Sequence, residues 1–170
     1  ELIVFDLDEC LWTPEMYTLT KLPSSSIEGD LNGQGRGVLA VRAGRAVVRL
    51  FPGALAVLQK IAQGHAPFSR VALASSADTP FATRCAHRCL QLLEVLPGLS
   101  LSALLNRGFE PGFTGNIQIG RHGHLSSDKT THFRWLKKET GIEYNRMIFF
   151  DDCNWGDNCG RVEKGCPGVV

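Results

Sequence analysis

Leu2-Ile3-Val4-Phe5-Asp6-Leu7-Asp8 runs four apolar residues straight into a pair of aspartates. A run that short and uninterrupted reads as a strand buried on both faces, delivering its carboxylates at the carboxyl edge. The same grammar recurs further along the chain. Val71–Ala74 ends in Ser75-Ser76, and Met147–Phe150 ends in Asp151-Asp152. Between these strands the apolar residues fall at helical spacing. Leu55, Leu58, Ile61 and Ala62 predict a helix from Ala54 to Gln63, stopped by Gly64. Asp78-Thr79-Pro80 opens a second helix running to about Leu96, and a third is predicted from Thr131 to Thr140, closed by Gly141. Strands alternating with helices predict an α/β fold with a doubly wound, mainly parallel sheet, as one domain over residues 1–170. In such sheets ligands sit beyond the carboxyl ends of the strands.

Around this frame, residues 13–37 are rich in Pro, Ser and Gly and read as loop. Val38–Arg42 and Arg45–Phe51 flank Ala43-Gly44 as a β-hairpin flap, so that 13–51 forms a loop-and-hairpin insertion. Leu101–Leu105 reads as a further strand. Residues 108–124 read as irregular, with a small hairpin at Ile117–Ile119. Asp157 to Lys164 reads as a short helix before a last strand at Gly168-Val169-Val170.

A chain of 170 residues, 44% hydrophobic and 21% charged with a net charge of +1, has the bulk for its own core and no global field to draw nucleic acid or acidic lipid. No apolar run reaches the ~18–20 residues that span a bilayer, and no basic-then-apolar opening marks a secretory signal. Both ends sit inside strand-like segments and read as trimmed, so a targeting segment would lie outside the sequence. The six cysteines are expected as free, mostly packed thiols in a cytoplasmic protein, also compatible with the nucleus. Cys85-x-His87-x-Cys89 and Cys153-x5-Cys159 lack the paired spacing of a zinc finger or ribbon.

Strand alternation places Asp6 and Asp8 on one side, and two carboxylates that close resist ionising together unless a cation lies between them. Mg²⁺, which binds one or two carboxylates with water and substrate phosphate, suits that arrangement, and Asp151-Asp152 supplies further acidic ligands. Ser75 is placed to hydrogen-bond a phosphate oxygen, with Ser76 beside it, and Lys129, just before a helix, balances the charge. Each element alone is common. All of them in this order, each at a strand end or helix start, point to phosphoryl chemistry.

Phe5-Asp6-Leu7-Asp8-Glu9-Cys10-Leu11-Trp12 resembles the first motif of the haloacid dehalogenase superfamily, whose phosphatases carry Asp-x-Asp-x-Thr/Val. Ser75 is similar to the second motif, Lys129 to the third and Asp151-Asp152 to the fourth. Asp8-Glu9-Cys10-Leu11-Trp12, Lys129-Thr130-Thr131-His132-Phe133 and Phe149-Phe150-Asp151-Asp152 resemble, more narrowly, the eukaryotic magnesium-dependent phosphatase 1 family. The resemblance implies a HAD-like Rossmannoid fold and a phosphatase. Asp6 would become the aspartyl-phosphate, and Asp8 would protonate the leaving oxygen and then act as base on water. Mg²⁺ would bind Asp6, the Asp8 carbonyl and Asp152 directly, with Asp151 in support. Ser75 and Lys129 would hold the transferring phosphoryl. Two departures stand out: Cys10 occupies the usual Thr/Val position, either as a small packed residue or as an oxidation-sensitive thiol, and residues 106–128 are longer than the family's connection.

Superfamily members that select small metabolites carry folded caps, and this chain has room only for loop and hairpin. An open, cap-less site is therefore expected, suited to phosphotyrosine proteins or protein-linked phosphosugars, with a monomer as the working unit. Trp12 and Trp155 are expected at the mouth as stacking surfaces, Trp135 in the core, and His132 in a structural role. Arg36, Arg42, Arg45 and Arg49, with no acid among residues 31–50, form either a substrate-facing or a merely wet hairpin face. A carboxy-terminal-domain-type Ser/Thr phosphatase shares the chemistry, but its first motif would not carry Trp12. A catalytically silent phosphate-binding scaffold is opposed by the intact Asp6, Asp8, Ser75, Lys129 and Asp152.

Overall fold

The computed structural model describes residues 1–66 and 70–170. In chain order, β1 (Leu2–Phe5) leads through β2 (Trp12–Thr13), β3 (Ser25–Asp30), β4 (Arg36–Ala43) and β5 (Ala46–Leu50) to α1 (Pro52–Ala62). β6 (Arg70–Ser75), α2 (Pro80–Leu92), β7 (Glu94–Leu96), β8 (Leu99–Ser100) and α3 (Leu101–Leu105) follow. The chain then runs through β9 (Ile117–Ile119), α4 (Lys129–Thr140), β10 (Met147–Phe150) and α5 (Asn158–Gly165).

The central sheet is parallel throughout, in the order β10-β1-β6-β9, with Leu2 to Phe5 in register with Met147 to Phe150 on one side and Arg70 to Leu73 on the other. Strand alternation divides the core into two. Leu2, Val4, Ala72 and Ala74 pack with Phe133, Leu136 and Val162 under α4 and α5. Ile3, Phe5, Val71 and Leu73 pack with Leu55, Leu58, Cys85 and Cys89 under α1 and α2. Helices on both faces account for strands that are apolar at every position. This is the doubly wound architecture expected, and its carboxyl edge gathers Asp6, Ser75 and Asp151.

The helix starts are locally specified. Pro80 takes the first turn of α2, where a missing N–H costs nothing, and the Thr79 hydroxyl accepts from the Ala82 amide at 3.0 Å. Asp128 caps α4 through the Thr130 amide at 2.9 Å, and Gly141, at φ 67°, ends it in the left-handed conformation.

Five expectations are corrected. The 13–37 segment is not only loop: β3 pairs with β4 and β2 with β5, making an antiparallel sheet of order β2-β5-β4-β3 in place of a lone hairpin. β3 escaped detection because Ser25, Ser26 and Glu28 show no apolar alternation along an edge strand. Leu101–Leu105 is a helix, started by the Ser100 hydroxyl on the Ala103 amide, with Leu101, Leu104 and Leu105 all buried. Ile117–Ile119 is not a small hairpin but the remaining parallel strand, beside β6. α2 stops at Leu92, giving way to the short β7–β8 pair. The closing residues form no assigned strand, although Val170 exchanges backbone hydrogen bonds with Met147 and Phe149 at the edge of β10.

Phe133 is fully buried, edge-on to Phe149 at 4.9 Å, and anchors the helix that carries Lys129. Phe133→Ala is expected to cost about 3–5 kcal/mol. Urea titration followed by circular dichroism measures it, and a loss below about 1 kcal/mol would show that α4 is held elsewhere.

Candidate active site

Asp6 follows Val4 in the alternation of β1, so its carboxylate points to the α4 side. Its amide donates to Phe150 O at 2.9 Å, carrying the pairing with β10 one residue past the strand. There the carboxylate meets Lys129, the first residue of α4: Nζ lies 2.8 Å from Asp6 Oδ1 and also pairs with Asp151. Lys129 is 3% exposed, so its ammonium exchanges water for two carboxylates. Burial alone would lower its pKa, but Asp6 and Asp151 outweigh that and raise it. Burial raises the Asp6 pKa to about 6, against the lowering effect of Lys129.

Beyond Asp6 the chain turns sharply. Leu7 O accepts from the amides of Leu11 and Trp12 at 2.8 and 3.1 Å, and Glu9 adopts a positive φ of 56°. The turn brings Trp12 back onto Asp8. Trp12 Nε1 donates to Asp8 Oδ1 at 2.7 Å and the Met16 amide to Oδ2 at 2.8 Å, fixing both oxygens. Burial still raises the Asp8 pKa to about 7, with those two hydrogen bonds opposing. A carboxyl poised there can both give and take a proton near neutrality.

At the end of β10 the two aspartates differ. Asp151 pairs with Lys129 and accepts from the Cys153 amide at 2.8 Å and from Asn158 Nδ2 at 3.1 Å. Burial would raise its pKa, but Lys129 and these donors lower it. Asp152 lines the cleft, and its pKa is raised by burial and by Asp151. Carboxylate oxygens of Asp6, Asp151 and Asp152 lie within 4.8 Å of one another. That all-oxygen donor set, with no His or Cys in it, fits a hard divalent cation. It is the one such cluster among the described residues.

Ser75 ends β6 on the opposite wall. Its carbonyl accepts the Gly120 amide at 2.8 Å, and His132 Nε2 lies 3.1 Å from Ser75 O and 3.2 Å from Gly120 O. Facing two carbonyls, Nε2 must carry the hydrogen. Burial, then Lys129, lowers the His132 pKa to about 4, so the ring is a neutral donor. It stands one helical turn after Lys129 and ties the ends of β6 and β9 to α4. The structural role expected for it takes this form.

Asp6, Asp8, Ser75, Ser76, Lys129 and Asp152 line one cleft of about 390 Å³. Trp155 stands on its rim, 75% exposed, with Nε1 on Glu15 at 3.2 Å and its ring edge-on to Tyr17 at 6.4 Å. Trp12 does not: it is fully buried, and it orients Asp8 instead of meeting substrate. Trp135 is only half-buried, packed on His124 at 3.5 Å and under Lys138. None of Arg36, Arg42, Arg45 and Arg49 lines the cleft; the basic residue at its mouth is Arg121, whose Nε donates to Ser76 O at 3.0 Å. Arg121, Asn158, Glu15 and Tyr17 carry no motif that a sequence could flag. Cys10 is half-buried with its thiol toward Phe150 O at 3.5 Å, and burial pushes its pKa up to about 12, the environment of a packed thiol.

The family described as acid phosphatase matches residues 1–169. The chain is 26% identical over 152 residues to magnesium-dependent phosphatase 1 of Homo sapiens, spanning 89% of this chain and 67% of that protein. Among solved structures, it resembles the N-terminal part of a Bacteroides fragilis protein containing a phosphatase domain, complexed with Mg, with a TM-score of 0.55 and 15% identity. That likeness covers 99% of this chain and 34% of the other, and it supports the fold.

Trp12→Phe keeps the buried ring and removes only the Nε1 donor to Asp8. Losing a hydrogen bond that favours the carboxylate raises the Asp8 pKa, by about one pH unit or more for a bond to a charged acceptor. The alkaline limb of kcat/KM for phosphate-ester hydrolysis is expected to move up in pH by that amount. An unshifted limb would separate Asp8 from the titration.

Proposed function

The chain belongs to the acid phosphatase family, and from that premise we propose that it is a Mg²⁺-dependent phosphomonoester hydrolase that works through a phosphoryl group on Asp6. Its substrates are phosphorylated proteins, through phosphotyrosine or a protein-linked phosphosugar. The observation carrying this reading is the division of labour between two neighbouring aspartates: Asp6 is held against Lys129, while Asp8, its oxygens fixed by Trp12 and Met16, keeps a pKa of about 7.

An Asp6 oxygen attacks phosphorus, forming the acyl phosphate as the ester bond to the leaving oxygen breaks. Asp8, in its acid form, gives that oxygen its proton. The Asp8 carboxylate then takes a proton from water, whose oxygen attacks phosphorus and returns Asp6 as carboxylate with inorganic phosphate. Lys129 and the Ser75 hydroxyl hold the phosphoryl oxygens, where charge accumulates. Asp6, the Asp8 carbonyl and Asp152 would hold Mg²⁺, with Asp151 orienting the loop, and the cation supplies charge neutralisation at the phosphoryl group. Asp152 is the better direct ligand because it lines the cleft, while Asp151 is committed to Lys129, Cys153 and Asn158.

The rim supports this substrate class. Trp155 and Tyr17 offer exposed aromatic surface beside the cleft, suited to stacking on a phosphotyrosine ring or a sugar face.

Purified protein is expected to hydrolyse aryl phosphates and phosphotyrosine peptides with Mg²⁺, to lose activity in EDTA and to regain it on Mg²⁺ addition. Asp6→Asn should leave the fold intact and abolish turnover, and substantial turnover by that variant would exclude Asp6 as nucleophile. Calorimetric Mg²⁺ titration should show a larger affinity loss for Asp152→Ala than for Asp151→Ala. The reverse order would exchange their roles.

A further inference from the structure

A second groove, of about 260 Å³, lies along α2 and is lined by Leu22, Pro23, Arg84, His87, Arg88 and Gln91. Arg84, His87, Arg88 and Gln91 fall at the i, i+3, i+4, i+7 spacing of one helix face, and all four are exposed. No acidic residue lines the groove, and neither arginine has a carboxylate partner among the described residues. Arg88 reaches only Gln91, at 3.2 Å, and Arg84 lies over the Phe81 ring at 5.6 Å. Leu22, 44% exposed, adds an apolar lip.

The helix that carries the groove begins at the catalytic cleft. Ala82 of α2 and Arg121 both line that cleft. Next to Arg121, His122 comes close to Thr83 of α2: His122 Nδ1 and Thr83 Oγ1 lie 2.6 and 3.3 Å from the point where a Cβ on Gly120 would sit. Burial, then His122, lowers the His87 pKa, so the fixed charge of the groove rests on Arg84 and Arg88. Arg121 at the cleft, followed by Arg84 and Arg88 in the groove, gives the fixed positive charges of a track along α2. From Ala82 to Arg88 the helix rises about 9 Å, a span that roughly three residues of extended chain cover.

We propose that this track docks an acidic peptide segment of the phosphorylated protein substrate, with Glu or Asp about three or more residues from the phosphorylated position paired to Arg84 and Arg88. The inference rests on the phosphoprotein reading given above and adds a second point of recognition to it. Arginine forks match carboxylates, and the apolar lip accommodates side chains between the acids. A nucleic acid fits less well, because the lining holds no Phe, Tyr or Trp as a stacking platform for bases.

The test uses two phosphotyrosine peptides differing only in distal Glu or Ser, the double variant Arg84→Glu/Arg88→Glu, and p-nitrophenyl phosphate. Wild-type KM is expected to be lower for the acidic peptide and to rise with salt. The variant should raise that KM about tenfold or more, leaving kcat, the neutral peptide and p-nitrophenyl phosphate unchanged. Fluorescence anisotropy of the acidic peptide without its phosphate reads the groove independently of turnover, with binding to wild type and loss in the variant. Equal KM for the two peptides, or anisotropy unchanged by the variant, would overturn the docking track while leaving phosphoprotein hydrolysis standing. Variant-sensitive binding without hydrolysis of either peptide would uphold the track and remove the phosphoprotein reading instead. Displacement of the peptide by an unstructured oligonucleotide at equal concentration would overturn the acidic-peptide assignment in favour of nucleic acid.

Discussion

The ammonium of Lys129 sits out of water between Asp6 and Asp151, and the rest of the site is arranged around that fact. A buried charge of this kind costs several kcal/mol unless paired, and removing one partner of such a pair costs about 3–5 kcal/mol. The ion pairs therefore bind three separate elements at one point: the end of β1 through Asp6, the end of β10 through Asp151, and the start of α4 through Lys129 itself. The hydrophobic packing of Phe133 and Leu136 beneath α4 brings the lysine to that position. His132, one turn further, ties the same helix to the ends of β6 and β9. One helix thus sets the spacing between Asp6, Ser75 and the acidic edge of the sheet.

Four aspartates share this small volume, and their different environments give them different uses. Asp6 has a cation beside it and burial around it. Asp8 has neutral donors only, so desolvation prevails and its proton is retained to near neutrality. Asp151 is the most fully satisfied and has the lowered pKa, which makes it a fixed support. Asp152 lacks such a partner and faces the cleft. Burial, then Asp151, raises the Asp152 pKa, and a cation placed among Asp6, Asp151 and Asp152 would offset both by favouring the carboxylate.

The parts of this arrangement that were legible in the sequence are those where a short apolar run ends in a chemically distinctive residue: Asp6, Ser75 and Asp151-Asp152 at strand ends, and Lys129 at a helix start. Failures came where pattern carries no direction. Leu-Ser-Ala-Leu-Leu at 101–105, apolar at four of its five positions, fits a buried strand or one helical turn equally, and a serine cap decided it. β3 carries a single apolar side chain, Ile27, and exists through its pairing with β4. Trp12 follows the first motif closely enough to suggest the mouth, but the turn at Leu7–Leu11 folds it inward onto Asp8. Arg121 and the α2 groove depend on residues distant in sequence meeting in space, which no local spacing reveals.

The central claim is that Asp6 carries the phosphoryl group during turnover. Rapid acid quenching of enzyme mixed with an aryl phosphate and Mg²⁺, followed by mass spectrometry of the digested protein, tests it most directly. The account predicts one phosphoryl group on the peptide containing Asp6, appearing before steady state and lost on reaction with hydroxylamine. Burst-free release of phosphate with no modified Asp6 peptide, or a phosphoryl group found on Asp8 or Ser75, would contradict it.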